Sequence, residues 1–281
     1  QEEKDISFDS IASGIDTCIS LMVKRLITGA SASTLRSLEI PLLSNNYKSL
    51  RRLGEVFIEE HSFSTEKNFK EYEKIIEKDP HMLLAYYYCA QNALRSGSYD
   101  KASKYYKELL DLAPLHTEIF YPLAQSYRLA GRFNEALNTI AQSEKRQVKS
   151  VDLLVEKALN FEGLDQRGYA MSIHQQILSL DSLQSGSLLF LAREKNNAAQ
   201  HQEALPLIRK LIKVSPGNGL AYLELSKCLS AVKDYDKSYE AIKKAATLLP
   251  ENPAILQWMG DCNVKKQNYS DASKNYYKAL Q

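Results

Sequence analysis

Little in this 281-residue sequence could staple it or hold a metal. Four cysteines, Cys18, Cys89, Cys228 and Cys262, form no C-x-x-C pair, which leaves zinc knuckles and dithiol redox motifs without support. They read as small buried hydrophobes, and unpaired thiols fit a reducing, cytoplasmic setting. Five histidines, His61, His81, His116, His174 and His201, show no H-E-x-x-H or comparable ligand spacing. G-x-S-x-G, P-loop and G-x-G-x-x-G signatures are missing too, so neither a catalytic site nor a cofactor is expected. An excess of one charge is also lacking. The net charge is +2, too balanced to predict the concentrated basic surface that nucleic-acid binding uses. The longest apolar stretch, "IASGIDTCISLMVKRLI", is broken by Asp16, Lys24 and Arg25, which excludes a membrane span of about 20 residues and suggests an amphipathic helix. Residue 1 is Gln rather than Met, so a signal peptide or anchor ahead of it would be invisible.

What the sequence does have is a period. Pro80 and Pro114 stand 34 residues apart, as do Pro216 and Pro250, and Pro114 precedes Pro216 by three times 34. Blocks of 34 starting at Leu83, Thr117, Val151, Ser185, Gly219 and Pro253 align without a gap. Their eighth residues are Ala90, Ala124, Ala158, Ala192, Ser226 and Gly260, and their twentieth are Ala102, Ala136, Ala170, Ala204, Ser238 and Ala272, all small. The fourth is always large and apolar: Tyr86, Phe120, Leu154, Leu188, Tyr222 and Leu256. Two small columns twelve residues apart let two antiparallel helices approach closely. Turn segments such as "SGSYD", "AGRFN" and "KDYDK" lie between them, with Asp100, Asn134 and Asp236 expected as N-caps of the second helix. Each block is predicted to be a helical hairpin.

This pattern resembles the tetratricopeptide repeat family, whose 34-residue units share these columns and a proline near position thirty-two. The resemblance covers Leu83 to Gln281 and implies an all-α, right-handed superhelical solenoid of antiparallel helix pairs. Residues 49–82 keep the second-helix half of a block but put Val56 and Asn68 in the small columns, as a degenerate repeat would. Residues 1–48 leave the pattern; Ile11, Ile15, Ile19, Met22 and Leu26 fit helices of an N-terminal cap. The sixth block stops in its second helix without a polar closing helix, as a truncated array would.

The resemblance implies a scaffold or adaptor, not an enzyme, that binds a protein or peptide segment with apolar anchors in a groove lined by the first helices. Positions two, five, six, nine, twelve and thirteen should face that groove. They include Tyr87, Tyr88, Gln91, Arg95, Tyr121, Gln125, Arg128 and Glu156, then Leu189, Phe190, Arg193, Lys227 and Trp258. Leu223, Glu224, Asn196, Asp152 and Glu162 fall in the same columns. Family members that clamp acidic tails of heat-shock chaperones carry lysine fifth and asparagine ninth. Here those pairs begin Tyr87 with Gln91 and Tyr121 with Gln125, so such tails are not the expected partner. Nor is nucleic acid. The competing reading is the recruiting region of a longer enzyme, such as a bacterial sulfotransferase or glycosyltransferase. The block from Val151 is the least faithful, with Lys157, Arg167 and His174 at packing positions, followed by Lys195 and His201. Poorly paired polar groups there would let the array open first over residues 151–201.

Overall fold

The computed structural model describes residues 46–59 and 65–281. Regular structure among them is entirely helical. Fourteen α-helices follow one another: α1 (Tyr47–Glu59), α2 (Thr65–Lys78), α3 (Leu83–Arg95), α4 (Tyr99–Leu112), α5 (Phe120–Leu129), α6 (Phe133–Lys145), α7 (Val151–Gly163), α8 (Arg167–Leu180), α9 (Ser185–Asn197), α10 (His201–Val214), α11 (Gly219–Ala231), α12 (Tyr235–Leu248), α13 (Pro253–Lys265) and α14 (Tyr269–Ala279). A 3-10 turn, Thr117–Ile119, precedes α5. The N-terminal cap expected over residues 1–48 lies outside the described residues apart from its last three positions.

The period sets these boundaries. Five of the six blocks open on the first residue of a helix, and every second helix starts at position seventeen. In between, position fifteen is left-handed in all six blocks: Gly97, Gly131, Asp165, Ala199, Lys233 and Gln267 have φ between 54° and 75°. The N–H of position sixteen returns to the carbonyl of position eleven, as in Ser98 to Ala93 and Asn268 to Asn263, both 2.8 Å. This 6→1 bond closes the first helix. The turn is so short that the next helix begins two residues earlier than the cap reading supposed. Asp100, Asn134 and Asp236 are therefore not N-caps; they lie inside the first turns of α4, α6 and α12. A carboxylate there still favours the helix through its dipole. Side-chain caps occur elsewhere, at Gln184, Asn218, Asp234 and Asn252.

The small columns are buried in every block, with Ala90, Ala124, Ala158, Ala192, Ser226, Ala102, Ala136, Ala170 and Ala204 fully enclosed. Gly260 shows why small is required. A Cβ placed on it would come within 2.4 Å of the Tyr276 ring, and Tyr276 is pinned by its hydroxyl, which donates to Asp261 at 2.6 Å.

The chain divides into two compact units, one ending at Glu156 and the other starting at Lys157, both within α7. The first holds one continuous core, in which Tyr72, Met82, Tyr106, Leu109, Phe120 and Ile140 are completely buried. The second is built on smaller clusters, around Ile208 with Ala192 and Cys228, around Leu188 with Leu211, and around Ile242 with Ile255 and Cys262. Its polar packing residues are paired, contrary to the expectation above. His174 Nδ1 lies 2.8 Å from Ser187 Oγ and its Nε2 2.9 Å from Glu162 Oε1. His201 meets Asn196, Lys195 meets Glu203, and Arg167 meets Asp165. Four of the five groups named as the cause of early opening over residues 151–201 thus have partners, while the Oδ1 of the buried Asn160 in the same stretch accepts no hydrogen bond.

Among the described residues, one buried amide has both of its polar atoms unpaired. Asn263 in α13 is fully enclosed, and neither its amide nitrogen nor its oxygen has a hydrogen-bond partner. In the other blocks the same column holds Ala93, Tyr127, Phe161, Lys195 and Leu229. Burying an amide without partners costs about 1–3 kcal/mol. Asn263→Leu is expected to stabilise the second unit by about 1–2 kcal/mol, read as a higher urea midpoint with unchanged slope; a lower midpoint would show the amide to be satisfied.

Candidate functional site

In the first unit the first helices of successive pairs, α3 and α5, present the same two side chains at the same positions. Tyr87 and Gln91 stand one turn apart on α3, and Tyr121 and Gln125 on α5. In each case the glutamine amide donates to the tyrosine hydroxyl, at 2.7 Å and 3.3 Å respectively. An i,i+4 pair of this kind fixes both side chains before a ligand arrives. Tyr87 is half-buried, with its ring edge-on to Tyr88 and Tyr106, while Tyr121 is the more exposed of the two. Partial burial pushes both phenols above their usual range, so both remain protonated donors at neutral pH.

Other expected groove residues are placed differently. Tyr88 is buried and stacks on Tyr72, with ring centroids 5.5 Å apart. Glu156 is buried as well and forms a two-pronged pair with Arg128, whose Nε and terminal nitrogen donate to its two oxygens at 2.6 Å and 3.2 Å. Arg128 is correspondingly only a fifth exposed. These residues hold adjacent blocks together, the twelfth position of one gripping the sixth of the next. Arg95 and Asp152 are exposed at the surface.

The same grip recurs in the second unit. Asn196, the twelfth residue of its block, donates to the Glu224 carboxylate at 2.8 Å, and Glu224 is buried. Lys227 reaches the same carboxylate at 2.9 Å and Arg193 at 3.7 Å. Leu223 is buried. Phe190 stacks on the His174 ring at 4.3 Å, leaving Leu189 half-buried beside it on α9. Trp258 is half-buried: its indole N–H donates to Ser226 Oγ at 2.9 Å, and the Lys265 ammonium lies 5.3 Å from its ring centroid. Sequence columns alone could not separate groove-facing from block-joining side chains. A hydrogen-bond donor at position twelve followed 28 residues later by a glutamate, as in Arg128 with Glu156 and Asn196 with Glu224, is the signal that would have done so for these two glutamates.

Ser187, His174 and Glu162 form a hydrogen-bonded chain of the composition used for nucleophilic catalysis. Ser187 and His174 are both buried, and a nucleophile must reach its substrate. The chain therefore acts as packing with its polar atoms satisfied. Its signal was present in the sequence as two exceptions to apolar columns. Among the described residues no group of three or more His, Cys, Asp or Glu could hold a metal ion, and no helix is long and apolar enough to cross a membrane. Cys89, Cys228 and Cys262 are free thiols in buried positions.

Residues 93–154, the stretch from the end of α3 into α7, match the tetratricopeptide repeat family. That stretch carries tetratricopeptide repeats, and the helix pairs on either side of it keep the same 34-residue spacing. Tetratricopeptide relatives include the TPR repeat-containing protein YpiA of Bacillus subtilis, 20% identical over 207 residues that make up 73% of this chain and 40% of YpiA. The TPR repeat-containing protein PA4667 of Pseudomonas aeruginosa is 30% identical over 54% of this chain and 26% of its own length. The human protein O-mannosyl-transferase TMTC1 is 25% identical over 66% of this chain and 21% of its own length. The chain thus spans less than half the length of each of these relatives. Among solved structures, YrrB, described as a TPR protein with an unusual peptide-binding site, superposes with a TM-score of 0.51 over 66% of this chain and 95% of YrrB at 18% identity. At that identity the likeness concerns the fold.

Proposed function

We propose that this tetratricopeptide-repeat chain is a non-catalytic interaction scaffold whose first helices bind a protein or peptide segment with apolar anchors. The observation that carries the reading is the repeated Tyr–Gln pair on α3 and α5, a preorganised aromatic and polar face with unused hydrogen-bonding capacity. Tyrosine supplies large contact area with little rotamer entropy to lose, which makes it a frequent interface anchor. YrrB, which shares the fold, is described by its peptide-binding site. In the second unit Leu189, Arg193 and Lys227 line the corresponding positions of α9 and α11.

Twelve-residue peptides selected from a random displayed library against the parent protein test this. Tyr121→Ala with Gln125→Ala should weaken the selected binders about tenfold or more, as loss of an anchor does, with the circular dichroism unchanged. Binders that ignore these changes and respond to substitutions on the second helices would refute the assignment. The second reading, a recruiting region of a longer glycosyltransferase, is favoured by the relative named as a mannosyl-transferase. Sequencing the flanking reading frame separates the two, since a catalytic domain needs roughly 100–200 further residues.

A further inference from the structure

The whole-chain charge balance hides a local concentration. Helices α10, α12 and α14 are the second members of consecutive pairs and so run in the same direction. Positions twenty-five, twenty-six and twenty-nine of their blocks carry Arg209, Lys210 and Lys213, then Lys243 and Lys244, then Lys278. All but Lys210 are exposed, and Lys210 is partly buried. Lys243 has one loose carboxylate neighbour, Glu240 at 3.7 Å; the other five have no ion-pair partner among the described residues. Acidic side chains sit at the opposite ends of the same helices, at Glu203, Asp236 and Asp271. Taking six positive charges from a total of +2 leaves −4 for the rest of the chain.

The helix dipole favours cations near a C-terminus, but it acts on every helix alike. The equivalent positions are Gln175 and Gln176 in α8, Ala141 and Gln142 in α6, and a lysine beside a glutamate in α4 (Lys107, Glu108) and α2 (Glu73, Lys74). Dipole compensation therefore does not account for the adjacent pairs of cations, Arg209 with Lys210 and Lys243 with Lys244, which occur at these positions only in α10 and α12 among the described second helices. Five of its six cations are lysines, which are depleted in protein–protein interfaces. Exposed apolar and amphipathic side chains accompany them in the same turns, Val214 and Tyr277, the latter two-thirds exposed. Lysines beside a tyrosine suit the headgroup region of a bilayer, where the ring lies at the boundary and the ammonium groups face lipid phosphate and carboxylate.

We propose that this edge of the second unit docks on an anionic membrane surface. Docking through the second helices would leave the Tyr–Gln face of the first unit unused. The surface is peripheral and independent of the groove reading.

Co-sedimentation of the full chain with phosphatidylcholine vesicles containing about 30% phosphatidylserine tests it. Binding is expected at about 0.1 M salt and should be lost near 1 M, where the Debye length falls to about 3 Å. At roughly 1 kcal/mol for each lysine near the surface, Lys243→Gln with Lys244→Gln should lower the partition coefficient about thirty-fold. Lys237→Gln with Lys274→Gln removes the same charge from the first turn of α12 and the middle of α14, where each lysine has a carboxylate partner, and should change it by less than about threefold. Equal losses in the two double variants would reduce the effect to bulk charge and overturn the proposal. So would equal binding to pure phosphatidylcholine, or capture of a poly-glutamate peptide or a single-stranded oligonucleotide at concentrations that leave the vesicles free.

Discussion

Replacing Arg128 by alanine is expected to destabilise the first unit by about 3 kcal/mol, more than most surface changes would. The guanidinium sits at the surface end of its pair, but its partner does not: the Glu156 side chain is only 3% exposed. Removing one member of a buried pair costs about 3–5 kcal/mol, mainly because the remaining charge keeps its desolvation penalty without its partner. The part-exposed position of Arg128 places the effect at the lower end. In the solenoid this pair joins one block to the next, and stability there is close to a sum of such neighbouring terms. The loss should therefore appear as an earlier urea transition of the first unit. Adding Glu156→Leu to the variant should recover most of the loss, because an apolar side chain of similar size carries no charge to desolvate. A midpoint within experimental error of the parent would mean the pair behaves as an exposed one, worth less than about 1 kcal/mol.

Arg128 also marks where the sequence stopped being legible. The columns of small residues and the helix pairs were readable because backbone geometry repeats with the block, and Ala90 or Ala204 can occupy its place for only one steric reason. Side-chain exposure on the first helices was not readable in the same way. Position six is Tyr88, Pro122, Glu156, Phe190, Glu224 and Trp258, and whether such a residue faces a ligand or the next block depends on what stands 28 residues earlier. Glu156 and Glu224 are turned inward by Arg128 and Asn196. The caps failed for a different reason: a left-handed residue at position fifteen makes the turn too short for Asp100 to precede its helix. The basic edge was lost in a composition average. Six cations on three helices disappear into a net charge of +2.

The packing on which the whole array rests is tested most directly at Ala136. This residue of α6 is fully buried, in the same cluster as Ala124 of α5, its counterpart in the other small column. Leucine has nearly the helix propensity of alanine, so Ala136→Leu leaves the helix itself almost unaffected and changes only the volume between the paired helices. Interiors are packed close to crystal density, and three extra carbon atoms must push α5 and α6 apart or force strained rotamers, costing about 1–3 kcal/mol. The exposed Asn138, two residues along α6, supplies the control: Asn138→Leu adds an aliphatic side chain without entering the core and should leave the stability within about 0.5 kcal/mol. Urea unfolding of both variants decides the matter. A loss confined to Ala136→Leu follows from helices held at the distance their small columns allow, whereas equal midpoints for the two would mean that α5 and α6 have room to spare and that the 34-residue columns do not set the packing.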